Sequence, residues 1–405
     1  MNESFKNTDR KILLLGCAMA FLLALLPLSH TQGIRFGLLL LGLCCISWRQ
    51  MGSMRWAWPL VIWLGFACTT LIWSASPDLS KRALWLDGLL PIIAFVLVYQ
   101  ASQSKPAWLE LGFIAGMLLL SAIIVYGKTR GVPLTVNDKF DAGPGYWYPG
   151  AGTASTVLVY LLPLGFYLSD QPRKKSKFIG ISFIAIATVA ATFTGNRFFW
   201  IAALASLFCY ILLASSYSFK RMLCILLVVC AVGSIGVRLA NTQRGAVNLE
   251  RGLSYTAVRD ARPQIWAFWL DRVKNRPWLG KGLGTLTPVT GEIITPENRL
   301  FIKLAHAHNY WLNVVLQSGL AGLILVITAY ISVMREFLRH FSSARREVAA
   351  GLAVLVAMLA KNFTDDFMHG ATVMLFWSCL GYWLAQAKHK SLNDQQTPVT
   401  PASAQ

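Results

Sequence analysis

The chain has 405 residues, of which 55% are apolar and only 14% are charged, and its formal net charge is +19. A mean hydropathy of +0.52, with apolar runs recurring along the whole sequence, excludes a water-soluble globular protein. Part of a basic excess in a membrane protein reflects the positive-inside rule, so the charge does not indicate a nucleic-acid partner. The eight cysteines all lie in apolar runs and are interpreted as core residues, not as disulfides or metal ligands.

The hydropathy pattern predicts an all-α, polytopic membrane protein with about twelve transmembrane helices. The spans begin near Ile12, Ile34, Ala57, Ala83, Trp108, Gly152, Phe178, Phe198, Met222, Tyr310, Val348 and Ala371. The first span is interpreted as a retained anchor because no small-residue cleavage pattern follows it. The predicted organisation is nine N-terminal spans in residues 1–237, a long loop containing short helices in 238–309, three C-terminal spans in 310–388 and a disordered tail in 389–405.

The distribution of Lys and Arg predicts that both termini are cytoplasmic. Short loops on the N-terminal side of the membrane contain more than twice as many basic residues as the short loops on the other side. The long loop at 238–309 then lies on the outer side, although it is strongly basic. Long loops cross the membrane regardless of their charge, so these cations require a functional explanation.

Two features of this loop have recognisable local patterns. An amphipathic helix is predicted from about Pro263 to Lys274, with Trp266, Leu270 and Val273 on one face. We expect this helix to lie on the outer membrane surface with its aromatic face among the lipid headgroups. The segment RPWLGKGLGT at 276–285 lacks the spacing of a phosphate-binding loop, so a flexible turn is the favoured interpretation.

The sequence HAHN, at residues 306–309, comes directly before a long apolar span. His306 and His308 have the spacing of a metal-binding pair, but no third ligand accompanies them, so a metal site is disfavoured. The positive end of the following helix and the arginines of the loop disfavour an imidazolium at this position. We therefore expect His308 to be neutral and able to accept a proton.

Several ionisable residues lie at the ends of spans or within them. Arg197, in the turn TGNR, is either an interfacial arginine or a bidentate anion ligand. Asp365, Asp366 and His369 form the segment DDFMH between the last two spans, where a helix cap is favoured over a metal site. Asp87 lies within the fourth span and is expected to face a polar cavity, because exposure to lipid would be costly.

Together, these motifs resemble the O-antigen ligase and polymerase superfamily of bacterial inner membranes. The resemblance includes TGNR around Arg197, the Arg-x-x-x-Trp pattern from Arg262 to Trp266, the PWLGKGLG turn, and HAHNYWLNVVLQSGLAGL from His306. Their order and their position around one long loop make the set fairly specific. The resemblance covers the second half of the chain well, whereas the first half matches mainly in hydropathy.

The resemblance implies a multi-pass glycosyltransferase of the Gram-negative cell inner membrane that uses neither a metal nor another cofactor. Its active site would be in the periplasm, and 238–309 would be the periplasmic catalytic loop. The implied partners are an undecaprenyl diphosphate-linked polysaccharide donor, a lipid A–core acceptor and membrane lipids. On this sequence the catalytic residue would be His308 and the diphosphate ligands Arg197 and Arg262, to which we add Arg259, with His306 and Asn309 in support.

The implied reaction is a direct displacement that inverts the anomeric carbon. The diphosphate leaves readily, so a single base, His308, is sufficient. The basic loop suits a phosphorylated lipid A–core and favours a ligase over a polymerase that uses the same donor. The alternatives are an O-linked oligosaccharyltransferase of the same superfamily and a lipid-linked sugar transporter. The basic loop and the lack of two matching halves with broken helices count against the transporter.

Overall fold

The computed structural model describes residues 2–47, 54–129, 150–214, 262–285, 289–294, 299–304 and 307–396, together with residues 231, 234, 235 and 238. The predicted ninth span near Met222 lies outside the described residues. So do two of the candidate site residues, Arg259 and His306. The remaining candidate residues, Arg197, Arg262, His308 and Asn309, are all described.

Most of the described chain is helical. The first nine α-helices are α1 (Asn2–Leu25), α2 (Gln32–Cys45), α3 (Trp58–Thr69), α4 (Pro77–Ala83), α5 (Leu90–Ser104), α6 (Pro106–Thr129), α7 (Ala151–Ser169), α8 (Lys174–Phe193) and α9 (Arg197–Ala214). The others are α10 (Arg262–Val273), α11 (Tyr310–Arg339), α12 (Arg345–Asn362) and α13 (Gly370–Gln396). Two short 3-10 helices, Arg55–Ala57 and Thr70–Ile72, flank α3, and a π-helical segment, Leu84–Leu89, joins α4 to α5.

Six of the described helices are long and apolar enough to cross a membrane. They are Pro77–Ser104, which combines α4, the π-helical segment and α5, and α6, α7, α8, α9 and α11. The predicted class, a polytopic helical membrane protein, is therefore confirmed, while the count of about twelve spans stays a prediction. Within the bundle α7 is the most deeply buried of the six spans, and it packs against α8, α9 and α12.

The long loop contains two strands as well as a helix, which differs from the predicted all-α fold. Strands β1 (Val289–Ile294) and β2 (Arg299–Leu304) pair antiparallel, with Val289 opposite Leu304 and Ile294 opposite Arg299. The strands contain β-branched residues, which favour extended backbone. Each strand is only six residues long, and such short segments are difficult to recognise inside a loop.

The last helix is longer than the sequence predicts. Helix α13 continues to Gln396, beyond the predicted end of the spans at residue 388. The prediction of a disordered tail from residue 389 is therefore wrong for residues 389–396. Near its C-terminal end, Lys390 lies 3.5 Å from the carboxylate of Glu347 in α12, so this part of α13 is attached to the bundle.

Candidate active site

Four segments that are far apart in the sequence meet at one end of the helical bundle. They are the turn between α8 and α9, helix α10, the residues before α11, and the loop between α12 and α13. The guanidinium of Arg262 in α10 lies 4.9 Å from the ring centroid of Phe198 at the start of α9. The rings of Trp266 and Phe363 are 6.1 Å apart and nearly perpendicular. Helix α10 therefore connects the Arg197 turn to the loop that follows α12.

His308 is paired with a carboxylate from this last loop. Its Nδ1 lies 3.1 Å from Oδ1 of Asp365, and the two side chains are 38% and 25% exposed. A carboxylate that accepts a hydrogen bond from Nδ1–H leaves Nε2 as the basic nitrogen of the ring. It also stabilises the imidazolium that forms when Nε2 accepts a proton. The pair has the geometry of a general base and the residue that orients it.

The backbone around His308 has an unusual conformation. His308 has a φ angle of +48°, which few residues other than glycine adopt and which costs on the order of 1–3 kcal/mol. Asn309 stabilises this conformation from the next position. Its Oδ1 accepts a hydrogen bond from the N–H of Leu312 at 3.0 Å, so it is the N-cap of α11, and its Nδ2 donates to the carbonyl of Phe363 at 2.8 Å. The predicted supporting residue Asn309 thus joins α11 to the loop that carries Asp365.

Asn313, one turn into α11, makes a second connection between the same two segments. This residue is buried; its Oδ1 accepts from the N–H of Ala307 at 2.9 Å, and its Nδ2 donates to Asp366 at 2.6 Å. Asp366 also accepts from the N–H of Met368 at 3.1 Å. The DDFMH segment was interpreted from the sequence as a helix cap, and Asp366 does bond loop backbone before α13. Asp365, in contrast, contacts the histidine, and sequence reasoning missed this contact.

The turn TGNR carries the first of the candidate anion ligands. Arg197 begins α9 and is half-buried, and its Nε is buried with no hydrogen-bond partner among the described residues. Lys361, near the end of α12, contacts this turn and is completely buried. Its Nζ is 2.9 Å from Oδ1 of Asn196 and 2.8 Å from Oγ of Ser155. Sequence reasoning did not single out Lys361, although a lysine within a mostly apolar segment was a signal.

Helix α10 was predicted within one residue at each end, but its expected contact with lipid headgroups is wrong for its tryptophans. Ile265 and Trp269 are buried against Ala307 and Leu316, and Trp266 contacts Phe363, the residue that follows α12. The spacing of four residues between Ile265 and Trp269 places both on the face that packs against protein. Burial against α11 removes this apolar surface from water as effectively as a membrane would.

The glycine-rich segment 276–285 was interpreted as a flexible turn, but hydrogen bonds attach it to α11 at a point where this helix is interrupted. At Gly319 the backbone of α11 has φ +66° and ψ −172°, which is not helical. The N–H groups of Leu320 and Ala321, which begin the second half of this helix, donate to the carbonyls of Pro277 and Trp278 at 2.8 and 3.2 Å. The break therefore leaves these backbone donors satisfied.

The same segment also bonds the first half of α11 and the region before α4. The N–H groups of Lys281 and Gly282 donate to the carbonyls of Leu316 and Gln317 at 3.0 and 2.8 Å. On its other side, the carbonyl of Lys281 accepts from the N–H of Ala75 at 2.9 Å. These contacts support the structural interpretation over direct phosphate binding by this backbone.

Asp87 lies in the π-helical segment and contacts the start of α13. Its Oδ1 accepts a hydrogen bond from the N–H of Gly370 at 2.6 Å. It lines a cavity together with aromatic residues that include Trp63, Tyr330 and Trp377. Asp87 was expected to face a polar cavity; it does face a cavity, but the expected polar lining is wrong, because the other lining residues are mainly aromatic and aliphatic.

No group of three or more His, Cys, Asp or Glu side chains within the described ranges is arranged to hold a metal ion. The cysteines of the described part of the chain, Cys17, Cys44, Cys45, Cys68, Cys209 and Cys379, are not disulfide-bonded.

The structure thus brings the His308–Asp365 pair to the same end of the helical bundle as the segments that bear Arg197 and Arg262. Residues 181–327 match the family model described as O-antigen ligase. The matched segment includes Arg197, Arg262 and His308, whereas Asp365 and Lys361 lie beyond it. This match confirms the resemblance to the O-antigen ligase and polymerase superfamily. No curated protein matches the chain significantly.

Proposed function

We propose that this protein is an O-antigen ligase of the Gram-negative cell inner membrane. It transfers a polysaccharide from undecaprenyl diphosphate to the lipid A–core acceptor. The family match supports lipid-linked polysaccharide substrates. The single observation that carries the proposal is the contact of His308 with Asp365, next to the segments that bear Arg197 and Arg262. The positive-inside rule supports a periplasmic site and cytoplasmic termini, and the hydropathy pattern supports about twelve spans.

His308 is the general base of the proposed reaction. Nε2 accepts the proton of the acceptor hydroxyl as its oxygen forms a bond to the anomeric carbon of the donor sugar. The bond from that carbon to the diphosphate oxygen breaks, and its electron pair leaves with undecaprenyl diphosphate. One displacement inverts the anomeric configuration. Asp365 keeps Nδ1 protonated and stabilises the imidazolium until the proton is released.

Arg197 and Arg262 bind the diphosphate, and Arg259 is assigned to the same site. Charge-assisted hydrogen bonds of this type contribute roughly 1.5–3 kcal/mol each. Negative charge on the diphosphate increases as the anomeric bond breaks, so these contacts strengthen in the transition state and lower the barrier. The unpaired, buried Nε of Arg197 within the described structure supports this role. Guanidinium groups then supply the positive charge that a divalent cation supplies elsewhere, and no cofactor is assigned.

The basic loop favours a ligase over the other members of the superfamily. A phosphorylated lipid A–core is an anionic acceptor, and the positive charge of the loop would increase its local concentration. The break in α11 at Gly319 is a feature that transporters also use. In this protein the segment 276–285 fills the break with backbone hydrogen bonds, so it does not favour the transporter.

Deletion of the gene tests the proposed function directly. Loss of a ligase leaves bare lipid A–core and full-length polymer stranded on its lipid carrier, and this is the expected result. A core that bears a single repeat unit would instead identify a polymerase. Normal lipopolysaccharide with missing protein glycans would identify an oligosaccharyltransferase, and polymer retained on the cytoplasmic side would identify a transporter.

A further inference from the structure

Lys361 is a buried cation to which the proposed mechanism assigns no step. Its side chain is completely buried, and Nζ donates to Ser155 and Asn196 at 2.8 and 2.9 Å. The ammonium also lies 5.0 Å from the ring centroid of Phe367. Removing an ammonium from water costs several kcal/mol before its new contacts offset that cost. A lysine in such a place therefore needs an explanation beyond packing.

The contacts of Lys361 join the two halves of the candidate site. Asn196 immediately precedes Arg197, and Lys361 is followed within a few residues by Asp365, which contacts His308. The Oδ1 atom of Asn196 accepts from Lys361 and also from the N–H of Phe198 at 3.1 Å. Asn196 therefore caps the start of α9, where Arg197 is the first residue.

The ammonium of Lys361 fixes the orientation of this cap. The amide group of an asparagine can adopt two orientations in which its oxygen and its nitrogen change places. Only the oxygen can accept hydrogen bonds from both Lys361 and the backbone N–H of Phe198. Ser155, in the buried helix α7, holds the ammonium from the other side. The position of Arg197 at the start of α9 therefore depends on the contact between Lys361 and Asn196.

We propose that Lys361 is a positioning residue that holds Arg197 in the geometry required for the lipid-linked diphosphate. This inference rests on the proposed function. Lys361 is completely buried, so it acts through the Asn196 cap and does not touch the substrate. Its effect is on binding and departure of the diphosphate, whereas proton transfer at His308 is unchanged.

The test is direct binding of undecaprenyl diphosphate to the purified full-length protein, with undecaprenyl monophosphate as the comparison ligand. Lys361→Met removes the donor groups and is expected to weaken diphosphate binding about tenfold, a change of about 1.4 kcal/mol, with a smaller effect on the monophosphate. Asn196→Ala should weaken binding to a similar extent without emptying the lysine site. Lys81→Met is the matched control, since this lysine is exposed and lies 3.6 Å from the exposed carboxylate of Asp78. The affinity of this variant for the diphosphate should equal that of the wild type.

A double-mutant cycle separates positioning from a general structural role. If Lys361 acts through Arg197, Lys361→Met in an Arg197→Ala background should weaken diphosphate binding no further. Lys361→Arg keeps the charge and a donor, and it should restore part of the affinity. The KM for the donor should rise in Lys361→Met while the KM for the acceptor stays constant.

Three results would overturn this inference. One is wild-type affinity in Lys361→Met or, if that variant does not fold, in Asn196→Ala. Another is an additive effect of Lys361→Met and Arg197→Ala. The third is equal weakening of diphosphate and monophosphate binding. Failure of the proposed function would give a different result, because the wild-type protein itself would then not bind the diphosphate more tightly than the monophosphate. That result would also contradict the inference about Lys361.

Discussion

The imidazole of His308 is oriented by contacts that come from a different part of the chain. Asp365 contacts Nδ1 directly, at 3.1 Å, and Asn309 and Asn313 connect the backbone on either side of His308 to the loop after α12. A side chain held in this way needs little rearrangement when it accepts a proton, which is the advantage of a preorganised site.

Replacement of Asp365 by Asn tests the orientation of the histidine. The amide has nearly the same shape, but it cannot stabilise the imidazolium and its NH₂ group can select the wrong tautomer. We expect kcat to fall by about 10²–10⁴-fold, by analogy with other carboxylate–histidine pairs, while the KM for the donor changes little. Initial rates of transfer measure both parameters. A kcat within about twofold of the wild type would exclude Asp365 from catalysis.

Arg262→Lys tests whether the guanidinium geometry is required. Lysine keeps the charge but loses both the planar bidentate contact and the stacking on Phe198, for which the observed distance is 4.9 Å. The expected result is a rise of about tenfold or more in the KM for the donor, from the loss of one charge-assisted contact. Arg276→Lys, at an exposed position beyond α10, is the matched control. Equal kinetics in the two variants would show that only charge matters at Arg262.

Sequence motifs predicted the candidate arginines and the histidine, but they did not predict the contacts with Asp365 and Lys361. Arg197, Arg262 and His308 lie in local patterns that can be read one at a time. Asp365 and Lys361 matter only because α12 ends beside α9 and α11, and this is a tertiary contact. Counting alternate sides of the membrane would have placed DDFMH on the same side as His308, but it could not have given the contact between two particular side chains.

At the scale of elements, the segment 276–285 connects the described part of the long loop to the bundle. Gly280, Gly282 and Gly284 have φ angles of +65°, +105° and +73°, which glycine adopts without strain. The pattern GKGLG therefore reflects the backbone conformation that lets this segment bond α11. Since α10 precedes this segment and His308 comes before α11, the connection also fixes α10 relative to His308.

Gly319→Ala should disrupt this connection. A methyl group at a φ of +66° is strained, and it would also collide with the backbone of Trp278. The combination of φ +66° and ψ −172° is essentially restricted to glycine, and the strain alone costs on the order of 1–3 kcal/mol. We expect a lower melting temperature in detergent and reduced transfer.

Gly37→Ala in α2 is the control, because no atom lies within 4 Å of the added methyl group, and it should leave both quantities unchanged. If Gly319→Ala matched Gly37→Ala in both stability and activity, the connection would not contribute to the site.

The elements differ in how far the sequence specifies them. Helix α10 follows from its apolar spacing and from Pro263 in its first turn, and the observed range Arg262–Val273 agrees with the prediction. The break at Gly319 could not be predicted, because one glycine in a long apolar run is compatible with a continuous helix. Its cause is the contact with 276–285, which lies more than thirty residues earlier in the chain.

At the scale of the whole molecule, polar contacts at the opposite end of the bundle join the helices that carry the site. Arg346 at the start of α12 forms an ion pair with Asp170, just after α7, at 2.9 Å. Glu347 accepts a hydrogen bond from Tyr167 in α7 at 3.2 Å and pairs with Lys390 of α13. These contacts link α7, α12 and α13 at the end of the bundle that lies away from the candidate site. We therefore expect substitutions there to affect stability more than the proposed transfer reaction.

The net charge of +19 has two explanations that differ by location. The positive-inside rule predicts that the basic residues of the short loops on the N-terminal side lie in the cytoplasm. For those of the long loop we propose a different role, which is to favour binding of a diphosphate and a phosphorylated acceptor. Composition predicted a helical membrane protein correctly, but it could not assign these two groups of cations to different functions without the motifs.

Transfer by the purified protein in proteoliposomes tests the central claim most directly. Wild-type protein and His308→Ala are supplied with undecaprenyl diphosphate-linked polysaccharide and lipid A–core, and formation of the glycosidic bond is measured. The expected result is inverted product from the wild type and only background product from His308→Ala, although the variant inserts, folds and binds the donor normally. Wild-type rates of transfer by the His308→Ala protein would contradict the role of His308 as the base.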